Sequence, residues 1–296
     1  MKYLYLLCGI SKQAHAQAVT RERLISDKRS LYIGLMHQIR TLHPGMGLRK
    51  MYNQFQPEGI GRDAFISLGM EEGLRLRAVA NPTRTTWSTK RYSYPNLLRD
   101  KKFTDVNQIW SSDITYFNIG SKHYYIVLIL DVYSRKIVGY SVADHMRASN
   151  NISALEKALN LRGVSDYRGN LIHHSDRGSQ YISEDYTRLL AEFGIKISMC
   201  REVLENAHIE RVNGTIKNEY LKRWEITNFK ALVRFLKKAV ENYNNRSHNS
   251  LKGKTPNEYE AYLKTIVWDQ REEMSIFTRT SGSCKNTNQL NLFGSV

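Results

Sequence analysis

The alternation of apolar and polar positions changes period along the chain. Leu31, Leu35, Ile39 and Leu42 recur at helical spacing, and His43-Pro44-Gly45 stops that run. Leu48, Met51, Tyr52 and Phe55 give a second helical face, and Pro57-Glu58-Gly59 turns the chain. Gly61 to Glu72 reads as a third helix with Phe65, Leu68 and Gly69 inward, and Gly73 to Arg77 as a short basic strand or wing. Three short helices with tight turns suit a helix-turn-helix unit over 30–78 and equally a plain three-helix bundle without DNA contact. Residues 1–29 form a lead-in segment.

Residues 79–105 are polar, basic and rich in breakers, as a linker is. Trp87, Tyr92 and Tyr94 interleave with its cations, a pattern that suits a phosphate backbone and also suits simple docking onto a neighbouring domain. From about 106 the period becomes that of strands. Gln108 to Ile119, Tyr124 to Val132 and Lys136 to Val142 are three successive strands, the first two joined by the turn Gly120-Ser121-Lys122. Ser149 to Leu161 is a helix, Leu171 to Ser175 a strand, Ser183 to Phe193 a helix and Ile195 to Met199 a fifth strand. Asn206 to Trp224 and Phe229 to Tyr243 are helices. This is the order of a layered α/β domain over 106–265, and 266–296 reads as a polar, flexible tail.

Composition changes the picture through charge. Lys and Arg number 44 against 28 Asp and Glu in 296 residues, a net +16 that points to a polyanion, nucleic acid first. Residues 1–105 hold 18 of those cations and 8 of the acids, so the first third is the most basic. The three cysteines, Cys8, Cys200 and Cys284, are far apart, which excludes a disulfide framework and a Cys-rich zinc site. The apolar start, Met1 to Ile10, is too short for a secretory signal, and Tyr124 to Leu130 is too short to span a bilayer. A cytoplasmic protein without membrane partners is expected.

Three acids fall where the element order would bring them together. Asp113 lies within the first strand, Asp176 just after the fourth, and Glu210 one turn into a helix. Taken singly, each is ordinary; an Asp on a strand is usually at an edge and a helical Glu usually solvated. Two carboxylates about 4 Å apart repel by about 4 kcal/mol at a surface-like effective dielectric, and a divalent cation reverses that sign. Oxygen donors without cysteine favour Mg²⁺, with Mn²⁺ as a substitute, over zinc. Two such ions clamp the attacking and leaving oxygens of phosphoryl transfer, with water or a DNA 3′-OH as nucleophile. Glu205 is the rival third acid, though in a loop. Asp131 is the rival first acid, expected instead to cap its turn or pair with Arg135. His173 and His174 lack partners at zinc spacing, so structural or DNA-contacting roles are expected.

The segments Trp110-Ser111-Ser112-Asp113-Ile114-Thr115-Tyr116, Asp131-Val132-Tyr133-Ser134-Arg135-Lys136-Ile137-Val138-Gly139 and His174-Ser175-Asp176-Arg177-Gly178-Ser179-Gln180-Tyr181 resemble the integrase core of bacterial insertion-sequence transposases. So do Glu210-Arg211-Val212-Asn213-Gly214-Thr215-Ile216-Lys217-Asn218-Glu219 and Tyr243-Asn244-Asn245-Arg246-Ser247-His248. The resemblance is to the second-reading-frame product of the IS-three family, from about residue 8 to about 262. It implies an RNase H-like fold with a mixed five-stranded sheet, preceded by a small all-α helix-turn-helix domain. It also implies a DDE triad of Asp113, Asp176 and Glu210 holding two Mg²⁺. Lys217 matches the family's basic residue at the transposon end, although its position alone also suits a solvated lysine. Asn213 shares that helix face and is expected to touch the site or DNA.

Arg62 in the helical unit and Arg84, Lys90 and Arg91 in the linker are expected to grip DNA, with steep salt dependence. The family's activity would be cleavage and strand transfer at terminal inverted repeats by a nucleoid-associated homo-multimer, acting on element ends and target duplex. In that family an upstream frame supplies a further helix-turn-helix and a coiled coil through frameshift fusion, and such a fusion partner is expected. The 33 residues between Asp176 and Glu210 are slightly fewer than usual, and Cys200 to Glu205 lacks the family's Gly- and Asn-rich stretch, so a trimmed loop is expected. The remaining alternatives are an RNase H-like nuclease that does not join, and a decayed, non-catalytic DNA-binding repressor.

Overall fold

The computed structural model describes residues 9–77, 94–201, 203–276, 278–280 and 283–285, with the backbone alone at 203–204, 278–280 and 283–285. The chain divides into two compact units, Met1–Val79 and Ala80–Val296.

The first unit is helical. α1 spans Lys12–Leu42, α2 Leu48–Phe55 and α3 Arg62–Glu71. Ser11 caps α1 by accepting the Ala14 N–H, satisfying one donor that the helix cannot. The core gathers Tyr32, Met36, Ile39, Met46, Leu48, Met51, Phe65 and Leu68. The inward face of α1 is thus one residue out of phase with the expected stripe, since Leu31 and Leu42 are 69% and 49% exposed. Both stripes contain Ile39. Tyr32 decides between them, because its hydroxyl donates to the Glu58 carbonyl at 2.7 Å. At Gly69 a Cβ would lie 2.5 Å from a Leu48 methyl, so a larger residue would force the Leu48 side chain to repack. The expected basic strand at 74–77 does not form; Arg40 takes the Leu74 carbonyl at 2.7 Å.

The second unit is built on a five-stranded mixed sheet. Its strands are β2 (Ile109–Ile119), β3 (Lys122–Asp131), β4 (Ile137–Ala143), β5 (Ile172–Ser175) and β6 (Lys196–Met199), in the order β4-β3-β2-β5-β6. The first three run antiparallel as hairpins, and β5 and β6 run parallel to β2. Parallel neighbours need a crossover helix. α4 (Ala148–Arg162) connects β4 to β5, and α5 (Glu184–Glu192) connects β5 to β6. β3 alternates strictly between layers. Val127 and Ile129 pack with Ala154, Leu155, Tyr186 and Leu190. Ile126, Leu128 and Leu130 face α6 (Ala207–Thr215) and α7 (Phe229–Asn244) on the other side. Gly139 is required where α4 crosses β4, since a Cβ there would lie 2.3 Å from the Ala154 carbonyl oxygen.

Several features depart from the sequence pattern. The helix expected over Asn206 to Trp224 is interrupted: α6 widens into a π-helical turn at Ile216–Tyr220, then a 3₁₀ turn at Leu221–Arg223. α8 (Pro256–Leu263) opens on a Thr255/Glu258 capping box. Residues 266–276 are not a free tail. Met274–Ser275 (β7) pairs with Lys102–Phe103 (β1), and Ile276 is buried with Leu98, Phe103, Ile109 and Leu263. A short hairpin of β8 (Thr278–Thr280) and β9 (Ser283–Lys285) follows.

Asp131 caps its turn, accepting the N–H groups of Asn107 and Ser134 at 2.8 and 3.1 Å. Its ion-pair partner is Arg162 at 3.0 Å, in place of the expected Arg135, which turns through φ +60° and meets His208 Nδ1 at 2.6 Å. Arg162 also holds Glu260 of α8 at 2.7 Å. Among the described residues, no helix is long and apolar enough to cross a membrane.

Candidate active site

The register of β2 against β5 creates the site. Ser112 pairs with Ser175, the last residue of β5. Beyond that pair β2 runs on with only β3 beside it. Asp113, still within β2, and Asp176, the first residue past β5, therefore follow that pair side by side, where the sheet opens at the carboxyl end of β5. Open α/β sheets place their chemistry at such an edge. An acid inside a strand of β-formers is tolerated here because its far side lacks a strand.

The electrostatics match that placement. The Asp113 carboxyl is pushed up to about 7, first by burial and then by the Asp176 charge; an Asn213 hydrogen bond pulls it down, and Glu210 adds a smaller upward push. Burial raises Asp176 as well, against the Gly178 N–H that it accepts at 3.0 Å. A Cβ at Gly178 would lie 3.0 Å from Asp176 Oδ1 and 2.9 Å from Gln180 Oε1, so a larger residue there would have to displace both side-chain ends.

α6 lies along β2 and meets it through one stripe of side chains. Asn206 Nδ2 donates to the Ser112 carbonyl at 3.1 Å. Asn213 Nδ2 donates to Asp113 Oδ2 at 2.8 Å. Lys217 Nζ donates to Thr115 Oγ1 at 3.1 Å and sits 5.0 Å from the centre of the Tyr116 ring. Steps of four, three and four residues keep Asn206, Glu210, Asn213 and Lys217 on one helical face. Glu210 is thus set on the face that meets β2, in the first turn of α6, and is exposed. Among the described residues, no three acidic, histidine or cysteine side chains gather closely enough to hold one ion. The fold brings Asp113 and Asp176 together and leaves Glu210 on the facing stripe.

The rival residues have structural duties. Glu205 is buried, paired with Arg99 at 2.9 Å, and accepts the Arg201 N–H. His173 bonds Tyr186 and His174 bonds Ser198, each at 2.9 Å, and burial keeps both imidazoles neutral, down to about 3 and about 4. The Cys200 thiol is pushed up to about 12, by burial first and then by Asp176. The donors offered at this edge are therefore carboxylate oxygens that repel one another, which fits a hard divalent cation.

Arg62 is exposed and bonded to Asp63 at 2.9 Å. Arg84, Lys90 and Arg91 lie outside the described residues. Sequence reasoning missed Asn206 and Arg177. Arg177 follows Asp176 and donates to the carbonyls of Cys200 at 2.9 Å and Arg201 at 2.7 Å, fastening the loop that follows β6. Their only signal was position, four residues before Glu210 and one after Asp176. Tyr181, quoted in the motif, is buried beneath the acids with its hydroxyl 2.9 Å from Ser112 Oγ.

Comparison with known proteins adds a lineage to this geometry. The chain matches the Integrase core domain family over residues 104–203, and a second integrase core domain family over 193–256. It is 34% identical over 248 residues to the insertion element IS600 uncharacterized 31 kDa protein of Shigella sonnei, covering 80% of this chain and 89% of that one. It is 32% identical over 219 residues to the transposase for insertion sequence element IS629 of Shigella sonnei, covering 72% and 73%. The HTLV-2 integrase catalytic core domain in complex with magnesium aligns at 23% identity, covering 56% of this chain and 99% of that chain, with a TM-score of 0.43.

Proposed function

The chain belongs to the insertion-sequence transposases with an integrase-type DDE core, and from that premise we propose how its own residues carry out DNA strand cleavage and strand transfer. Cores of this kind are divalent-metal dependent and work on DNA as multimers. Asp113 and Asp176, with Glu210 from the α6 stripe, would hold two Mg²⁺ ions, with Mn²⁺ able to substitute. When bound, the ions polarise the scissile phosphate and acidify the attacking water or 3′-OH.

The remaining work falls to side chains. Asn213 orients Asp113 and favours its ionised form. Lys217, held above Tyr116 and beside Thr115, offers its ammonium to a phosphate of the element end. Arg62 of the helix-turn-helix-like unit, with Arg84, Lys90 and Arg91 of the linker, grips terminal inverted repeat DNA through phosphates. The enzyme first cleaves at the 3′ end of its element and then joins that end to target duplex. It acts in the nucleoid as a homo-multimer, and an upstream-frame product fused by frameshifting supplies further DNA contacts.

The observation that carries this reading is that Asp113 and Asp176 directly follow the last registered pair of β2 and β5, Ser112 and Ser175, that Asp113 senses the Asp176 charge, and that the Glu210 stripe faces them. The test is Asp176→Asn on an element-end duplex with Mg²⁺. End binding is expected to survive and strand cleavage to vanish; cleavage persisting in the variant would sink the assignment. Pre-cleaved ends mixed with a target plasmid separate a transposase, which yields joined product, from a nuclease, which does not.

A further inference from the structure

The motif Tyr243-Asn244-Asn245-Arg246-Ser247-His248 is remote from the acids in sequence, yet its Arg246 reaches the turn that follows α6. That turn, Ile216–Tyr220, is π-helical. Such turns are rare and persist where something holds the extra residue. Here Arg246, only 5% exposed, pairs through NH1 with Glu219 Oε2 at 2.6 Å and hydrogen-bonds the Tyr220 hydroxyl. Tyr220 is itself fully buried, its ring 5.6 Å from that of Trp224. Arg246 is in turn anchored by its neighbours. The Asn244 amide accepts the Ile137 N–H and donates to the Ile137 carbonyl, both at 2.9 Å, which fastens the end of α7 to β4. His248 packs edge-on against Tyr243 at 4.8 Å. The chain of contacts runs from the sheet, through the end of α7, to the π turn.

Lys217 is the second residue of that turn. Each residue advances an α-helix by about 100°, so losing the extra residue would rotate the α6 stripe against the buried Tyr220 and Leu221. We propose that Arg246 is a positioning residue that holds the π turn open and thereby aims Lys217 at the phosphate of a bound element end. This rests on the reading of Lys217 as a contact to the DNA end. It gives the Tyr243–His248 motif a task that neither the acids nor the ions supply.

The experiment uses the full chain, a pre-cleaved element-end duplex and a target plasmid in Mg²⁺, and reads KM for the end separately from kcat. Arg246→Ala, Glu219→Gln and Lys217→Ala are each expected to raise KM about tenfold with kcat within about threefold. The double variant Lys217→Ala/Arg246→Ala is expected to be no worse than Lys217→Ala alone, because both act through one contact. Losses that multiply in the double variant, or a fall in kcat at unchanged KM, would overturn the proposal. Glu219→Gln removes the charge and keeps the shape of the side chain, so it reports even where Arg246→Ala does not accumulate. Wild-type KM in Lys217→Ala would remove the DNA-contact reading. The brace is then judged by amide hydrogen exchange: faster exchange confined to 216–221 in Glu219→Gln supports it, and unchanged exchange there refutes it.

Discussion

Asn213 places its side-chain nitrogen 2.8 Å from Oδ2 of Asp113, and this bond, with a weaker one from the Ile114 backbone, opposes the burial and the neighbouring acids that act on that carboxyl. Burial and Asp176 have pushed Asp113 up to about 7, and Asn213 pulls it back. A hydrogen bond to a charged group contributes about 1.5–3 kcal/mol, or about one to two pKa units. Asn213→Ala should therefore move the pH–rate profile of strand cleavage about one to two units to the alkaline side. Activity should fall at pH 7 and recover towards pH 9. A profile lowered by one factor at every pH would instead assign Asn213 to DNA contact.

The same carboxyl makes the metal-free protein sensitive to pH in a stated direction. Asp113 binds its proton at about 7 when folded, against an ordinary 3.8. Between those values the folded chain holds more protons than the unfolded chain, so stability falls as pH rises. The contribution is fully present below about pH 4 and lost above about pH 7, and amounts to at most about 4 kcal/mol. Asp113→Asn removes it. In thermal unfolding without metal, the variant should be more stable than the parent at pH 8 and close to it at pH 4. Adding Mg²⁺ at pH 8 should stabilise the parent and leave the variant unchanged.

Arg162 is the keystone of a buried charge cluster, pairing with Asp131 at 3.0 Å and Glu260 at 2.7 Å. Removing one member of such a cluster leaves a carboxylate without its cation, a loss of about 3–5 kcal/mol. Arg162→Met should lower the urea midpoint accordingly, and adding Asp131→Asn should recover part of the loss. A double variant no better than Arg162→Met would show that Asp131 does not depend on this arginine.

The layered core was legible because its signals are local. β3 alternates by single residues between two helical layers, and Asp113, Asp176 and Glu210 stand inside short motifs whose chemistry constrains them. The structure departs from the pattern where distance along the chain decides. Asp131 and Arg162 are 31 residues apart, and periodicity carries no record of such a choice over the nearby Arg135. The phase of α1 turned on one hydroxyl, Tyr32, reaching Glu58. The π turn after α6 depends on Arg246, 27 residues beyond Glu219, and the fold-back of 266–276 depends on a strand before the sheet begins.

Glu205 and Glu210 are both acids at the start of α6, and the structure gives them opposite surroundings. Glu205 is buried, held by Arg99 at 2.9 Å and by the Arg201 N–H, and so pins the loop between β6 and α6. Glu210 is exposed on the stripe that faces Asp113. The two should respond differently to the same conservative change. Glu205→Gln keeps an oxygen that accepts from Arg201 and should retain measurable cleavage, with a stability loss of about 1–3 kcal/mol from the weakened pair. Glu210→Gln should fold as the parent does and abolish cleavage with Mg²⁺. Parallel thermal unfolding and cleavage assays decide the matter. A cleaving Glu210→Gln beside a well-folded but inert Glu205→Gln would exchange their roles and make the loop acid the third member of the triad.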